Sequence, residues 1–169
     1  MPQYTPDEFT SLLTRTFAAY QPRTVRDTDP KGVPVIEWML PNPHDPRFSV
    51  SLQLRSGRAY VDTCSLWFGQ IELSGHMSTD AVVSAIEEII SDRVVAILRY
   101  RNRDAYENHR PSTKKWLYQL TDDEDDESAE LEDMKARLRS APTLTERISG
   151  KLLGTFEVFS WSESEVISR

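Results

Sequence analysis

Residues 35–73 form a series of short segments rich in apolar residues, one of which alternates apolar and polar side chains, and this pattern constrains the fold of the 169-residue chain most strongly. Successive side chains of a strand point to opposite faces, so alternation is typical of a strand with one buried and one solvated face. The clearest example runs from Phe48 to Arg55. Prolines separate the first segment from the second and Gly57 separates the second from the third, as expected for turns. We predict four strands at 35–40, 48–55, 58–64 and 66–73, with Gly69 marking a bulge or a close backbone approach.

Helical spacing predicts three main helices. Thr5, Pro6 and Glu8 form a capping pattern, and apolar residues then recur on one face as far as Tyr20. A second helix is predicted between residues 80 and 92, and a third over 127–140, followed by a short helix over 143–150. Residues 21–32 are predicted to be a connecting loop, and residues 102–113 fit no regular element clearly.

Three further strands are predicted in the second half of the chain. Residues 94–98 are all aliphatic, which is typical of a strand covered on both faces at the centre of a sheet. Residues 115–120 and 152–161 have strand-like composition. The resulting order α-β-β-β-β-α-β-β-α-β keeps strands and helices in groups, as in α+β folds.

We therefore expect a single domain over residues 1–169, built on a single, mostly antiparallel sheet with helices packed on one face. An acidic loop over about 121–128 and a flexible tail over 162–169 are predicted within it. The order of elements is similar to that of small acidic bacterial chaperones of the type III secretion class. This resemblance lies in the coarse topology and rests on no sequence motif.

The charge of the chain changes sign abruptly near residue 120. The 24 residues from Asp92 to Lys115 carry seven Lys or Arg and three Asp or Glu, whereas the acidic run that follows contains no base. Up to Leu120 the chain holds 14 residues of each sign, so the net charge of −7 lies in the last third. Net acidity repels polyanions, which disfavours nucleic acid and anionic membrane as overall partners. The acidic run consists of Asp122, Asp123, Glu124, Asp125, Asp126 and Glu127.

Three interpretations of the acidic run remain open: a solvated, partly disordered loop, a folded acidic face for a basic partner, and a metal site. A calcium loop beginning at Asp122 would need Gly at its sixth position and Glu at its twelfth, where Glu127 and Asp133 stand. We therefore predict no metal. Carboxylates can stand where phosphates would bind, and bacterial immunity proteins and antitoxins use such faces against basic nucleases.

The basic stretch contains aromatic residues between its cations, a combination that suits phosphate or nucleotide binding. The alternative is that Arg99 and Arg101 cover the solvated face of a strand with their aliphatic stems. The candidate anion-binding residues are Arg99, Arg101, Tyr106, His109 and Arg110.

Signatures of catalysis are weak. His44, His76 and His109 are isolated from one another, and Ser112 with Lys115 matches a serine–lysine spacing without the elements that accompany it in known enzymes. Cys64 is the only cysteine, and a lone cysteine in a strand is most often a small core residue. We predict no cofactor and favour a non-enzymatic function.

Our leading hypothesis is a bacterial protein-binding module of chaperone-like, adaptor or immunity type that uses the acidic run. The single cysteine and the lack of a basic-then-apolar leader favour the cytoplasm, and no membrane span is predicted. The alternative is a small enzyme or a phosphate- or nucleotide-binding protein that uses residues 93–116. The oligomeric state is left open.

Overall fold

The computed structural model describes residues 3–55, 60–61, 64–120, 126–143 and 153–169, with the backbone alone at 74–76 and 126–127. The chain divides into two compact units, unit 1 (Met1–Glu87) and unit 2 (Glu88–Arg169). The prediction of one domain over residues 1–169 stays a prediction. No helix in the described part of the chain has the length and apolar character needed to cross a membrane.

Unit 1 is built on a five-stranded antiparallel sheet. Each strand pairs with the next one along the chain, as in a meander. Short 3-10 helices lie at Ala18–Tyr20 and Pro46–Phe48. The elements are α1 (Pro6–Thr16), β1 (Arg23–Thr28), β2 (Pro34–Leu40), β3 (Val50–Arg55), β4 (Cys64–Phe68), β5 (Ile71–Met77) and α2 (Thr79–Ile90), which ends in unit 2.

Helix α1 begins as the capping pattern predicts. The Glu8 amide donates to Thr5 Oγ1 at 3.2 Å, and the Thr5 amide donates to Glu8 Oε2 at 2.8 Å. The indole Nε1 of Trp38 on β2 donates to Thr14 Oγ1 at 3.2 Å, so α1 lies against this face of the sheet. The face is apolar because alternate residues of β2, β3 and β4 are buried.

The elements of unit 2 are β6 (Val94–Tyr100), α3 (Arg103–Glu107), β7 (Lys115–Gln119), α4 (Asp126–Arg139), β8 (Thr155–Phe159) and β9 (Ser164–Ser168). Its strands form a four-stranded antiparallel sheet in the order β7-β6-β8-β9. Strand β6 lies between two neighbours and its aliphatic residues are buried, which agrees with the predicted central strand. Leu131 and Leu138 of α4 join a core cluster with residues from all four strands.

The predicted fold class is wrong. The chain forms two antiparallel sheets, of five and four strands, and not a single sheet with helices on one face. Strand β1 occupies part of the predicted loop at 21–32, and it shows no alternation because all six of its residues are exposed. The predicted strand over 66–73 is two strands, because Gly69 turns the chain with φ of +58°. The predicted order that carried the resemblance to secretion chaperones is therefore not the observed one.

Two further elements, α3 and β9, lie where no regular element was predicted. Strand β9 occupies residues for which a flexible tail was predicted, and α3 lies in the stretch that fitted no clear element. The strand predicted at 58–64 and the helix predicted at 143–150 fall mostly outside the described residues.

Candidate functional site

A cavity of about 320 Å³ opens in unit 2 beside the turn that joins β8 to β9. Its polar lining comes from this turn and the start of β9, from Asp92 after the end of α2, and from Lys135 of α4. Val95, Val158 and Phe159 supply the apolar part of the lining. The polar lining residues are Asp92, Lys135, Ser160, Ser162, Glu163, Ser164 and Glu165.

The hydrogen bonds that end α2 fix the position of Asp92. The Asp92 amide donates to Ile89 O at 3.1 Å, and the Arg93 amide donates to Glu88 O at 2.9 Å. This pair of bonds closes a helix through a residue in the left-handed conformation, a position that glycine usually fills. Asp92 occupies it with φ of +58°. A carboxylate is thereby placed where a helix that ends in this way usually has a glycine.

The Asp92 carboxylate is held by the β8–β9 turn. Its Oδ1 accepts the amide hydrogen of Ser162 at 2.8 Å. Burial by itself would raise the pKa of Asp92, but hydrogen bonds from the Ser160 and Ser162 side chains and from the Ser162 and Trp161 amides outweigh burial and lower it. Asp92 is therefore a charged structural anchor of the cavity wall.

Glu165 on β9 is paired with Arg139 near the end of α4. Two bonds join them, from Nη2 to Oε2 at 2.7 Å and from Nε to Oε1 at 3.2 Å. This contact lowers the pKa of Glu165, and the charge of nearby Lys135 lowers it further. Lys135 itself donates to Glu132 Oε1 at 2.8 Å. Lys135 and Arg139 are thus both engaged by carboxylates of the chain.

Glu163 differs from the other two carboxylates. Its side chain is exposed at the mouth of the cavity, and no ion pair joins it to another described residue. Its backbone oxygen accepts the Ser160 amide at 2.9 Å, which fixes the turn that presents it. The described lining holds three carboxylates and one ammonium group, so the cavity has acidic character. It suits a ligand cation such as an amine or a guanidinium, because an opposite charge and hydroxyl acceptors lie together.

The acidic run lies partly outside the described residues. Positions Asp122, Asp123, Glu124 and Asp125 are not among them, while Asp126 and Glu127 begin α4. Glu130, Glu132 and Asp133 are exposed acidic residues of this helix. Acids near its start and bases near its end complement the helix dipole, so part of this charge pattern also stabilises α4.

The predicted anion-binding residues have several different roles. Arg99 Nε donates to Leu153 O at 2.9 Å, and the Tyr106 ring packs edge-on against Tyr100 with centroids 5.2 Å apart. Arg101, His109 and Arg110 are exposed. His109 follows α3 in the left-handed conformation, with φ of +51°. Two of the five side chains therefore have contacts within unit 2, and the anion-binding role of the set stays a prediction.

The described residues offer little for metal or nucleophilic chemistry. No group of three or more His, Cys, Asp or Glu side chains is arranged to hold a metal ion in this part of the chain. Cys64 is buried, as predicted for a core residue, and burial raises the pKa of its thiol to about 11. Such a thiol is almost wholly protonated at neutral pH and is a poor nucleophile.

Comparisons with protein-family models, with curated proteins and with solved structures find no match to this chain.

Sequence reasoning missed the cavity. Asp92 was interpreted only as the end of a helix, and Glu163 and Glu165 fell in the predicted tail. Asp92 and Ser162 are 70 positions apart, so no local pattern could connect them. The one available signal was an aspartate directly after a helix end, where glycine or asparagine is usual.

Proposed function

We propose that this protein is a non-catalytic protein-binding module whose unit 2 presents an acidic surface to a basic segment of its partner. The observation that carries the proposal is the cavity beside the β8–β9 turn, with three carboxylates in its lining and Glu163 exposed at its mouth. A lysine or arginine side chain of a partner would pair there with a carboxylate, and its charged head would remain partly hydrated.

Two features of the cavity support recognition of a protein side chain. Its volume of about 320 Å³ is at the small end of the range for ligand sites, which is enough for one long side chain. Val95, Val158 and Phe159 lie beside the carboxylates, so the aliphatic stem of a lysine or arginine would contact apolar surface while its head reaches the charges.

The acidic run supplies the second part of the proposed mechanism. The acidic residues at 122–127 precede and begin α4, and Glu130, Glu132 and Asp133 extend the same sign of charge along that helix. Acidic charge concentrated in one stretch of the chain attracts a basic partner from beyond contact distance and raises the rate of encounter. Contact at the cavity would then determine the lifetime of the complex. An adaptor, a chaperone-like protein and an immunity-type inhibitor could all work in this way.

A titration with a short arginine-rich peptide tests the site directly. We expect the backbone NMR signals of residues 160–165 to shift on addition of the peptide at low salt and to return at high salt. Glu163→Gln removes the exposed carboxylate and is expected to weaken binding several-fold, as loss of one charged contact does. Glu72→Gln changes an exposed glutamate of unit 1 and is the matched control.

Affinity capture from the native host at low and high salt then tests the biological claim. The wild type is compared with Glu163→Gln and with a variant in which residues 122–127 are neutralised. A partner that is lost at high salt and in both variants supports the proposal. Binding that both variants retain in full, or peptide shifts that avoid residues 160–165, would contradict it.

A further inference from the structure

Strand β1 forms an open edge of the sheet in unit 1. It pairs with β2 on one side, from Arg23 opposite Met39 to Thr28 opposite Pro34. All six of its residues are exposed. An edge strand in this state presents a row of backbone amide and carbonyl groups that another strand can pair with.

On β1, one basic and one acidic side chain lie two residues on either side of Val25. Arg23, Val25 and Asp27 point to one face of the strand, because alternate residues share a face. Val25, the central one of the three, is 50% exposed. Within the described part of the chain, neither Arg23 nor Asp27 has an ion-pair partner. On the other face, Arg26 is paired with Asp7 of α1.

We propose that this chain forms a symmetric dimer in which β1 pairs antiparallel with β1 of a second copy, with Val25 opposite Val25. This arrangement sets Arg23 of each copy opposite Asp27 of the other. Two ion pairs then flank a contact between two valines on the same face of a continuous sheet. Opposite charges and branched apolar side chains are both favourable as directly opposed pairs in antiparallel sheets.

Symmetry restricts the possible registers. A two-fold axis perpendicular to the sheet must pass between two copies of the same residue, because it keeps each side chain on its own face. An axis at Arg26 would set two arginines directly opposite each other, which is unfavourable. An axis at Thr24 would leave Asp27 beyond the paired strand. The axis at Val25 gives both opposite-charge pairs, and it is the one we assign.

On the face of the sheet that α1 covers, there is space beside β1 for side chains of a second strand. A groove of about 680 Å³ runs between α1 and β1, and its lining includes Thr10 and Thr14 of the helix and Thr24 and Arg26 of the strand. In the assigned register, Arg26 of the second copy lies opposite Thr24, beside this groove. Asp7 and Arg15 of α1 also line the groove, so its lining carries both signs of charge.

Sedimentation velocity on the full chain tests the dimer with charge exchanges. We expect the wild type to associate reversibly between about 10 µM and about 1 mM, the range for a small interface. Arg23→Asp and Asp27→Arg each set like charges opposite each other, so each should weaken the dimer roughly tenfold or more. The double variant restores both pairs and should dimerise like the wild type.

A mixture of the two single variants is the sharpest arm of the test. Arg23→Asp and Asp27→Arg chains each self-repel, but one chain of each kind has opposite charges at both contacts. We therefore expect an equimolar mixture to form heterodimers at concentrations where each variant alone is a monomer. Circular dichroism of each variant confirms that a loss of association is not a loss of folding.

Disulfide formation reads the register independently. Val25→Cys places two thiols directly opposite each other across the proposed axis, at the separation that opposed strand residues have. Thr24→Cys places them on the other face and out of line, and the native Cys64 is buried. We expect covalent dimers from Val25→Cys alone. A wild type that stays monomeric throughout, association unchanged by either charge exchange, or equal cross-linking of both cysteine variants would overturn the proposal.

Discussion

The phenol of Tyr100 on β6 donates a 2.8 Å hydrogen bond to Oε2 of Glu157 on β8, and both side chains are buried in unit 2. A buried carboxylate has lost its water and depends on donors from the protein. Leu98 lies opposite Glu157 in the register, so Tyr100 reaches the carboxylate from a diagonal position on the same face.

Tyr100→Phe removes this donor while keeping the ring. We expect the free energy of unfolding to fall by about 1–3 kcal/mol, because the carboxylate loses a hydrogen bond without gaining water. Urea unfolding followed by circular dichroism measures the change. Tyr60→Phe, at a position that is 46% exposed, is the matched control and should have little effect. Equal stability of the two variants would show that the bond contributes nothing.

Gly154 stands where no larger residue fits. Its φ is +125°, and a Cβ atom added to it would lie 2.2 Å from the backbone oxygen of Tyr100. Gly154→Ala therefore forces the backbone at the start of β8 away from the end of β6. We expect a loss of about 3 kcal/mol or more, from backbone strain and the clash together. Thermal unfolding measures it, with Gly32→Ala as the control: Gly32 also has positive φ, but open space surrounds it. Nearly equal losses in the two variants would contradict the steric argument.

The sequence pattern predicted the strands that are buried on one face or on both faces. Strand β3 alternates because one face lies on the core, and β6 is continuously aliphatic because it is central and covered. Strand β1 is solvated on both faces, so its order comes from backbone bonds to β2 that leave no hydrophobic pattern. The sequence pattern did not predict β1 or β9, and the seven strands that it did predict were assigned to a single sheet.

The candidate site was less predictable than the fold, for a different physical reason. Blocks of charge are visible in sequence, so the acidic run was found at once. A cavity depends on long-range contacts, and the bond from Ser162 to Asp92 joins the end of a helix to a distant hairpin turn. Glu165 and Arg139 also come from separate elements. Such pairings are set by tertiary packing, which local composition does not record.

Cys64 should react slowly in the folded protein. Burial raises the pKa of its thiol to about 11, so at pH 8 only about one molecule in a thousand carries the reactive thiolate. We expect modification by a chromogenic disulfide reagent to be at least about 100-fold slower in the native state than in urea. Leu117→Cys combined with Cys64→Ser moves the thiol to a position that is 41% exposed and provides the control. Similar native rates for the two proteins would argue against the buried position.

Asp92 is expected to make the stability of the protein depend on pH in the acid range. Its pKa in the folded state lies below the ordinary value of 3.8, because hydrogen bonds from the β8–β9 turn outweigh burial. The unfolded chain therefore binds this proton first as the pH falls. The contribution of Asp92 to the free energy of unfolding is present above the ordinary pKa and is lost as the pH drops through the folded-state pKa.

Asp92→Asn tolerates the same backbone conformation but does not titrate, so its free energy of unfolding should fall less steeply below about pH 5 than that of the wild type. Urea unfolding from neutral pH to about pH 3 measures both slopes, and Glu163→Gln shows the effect of removing a neighbouring carboxylate that has no described ion pair. Identical slopes for Asp92→Asn and the wild type would mean that the turn does not hold the carboxylate in its charged form.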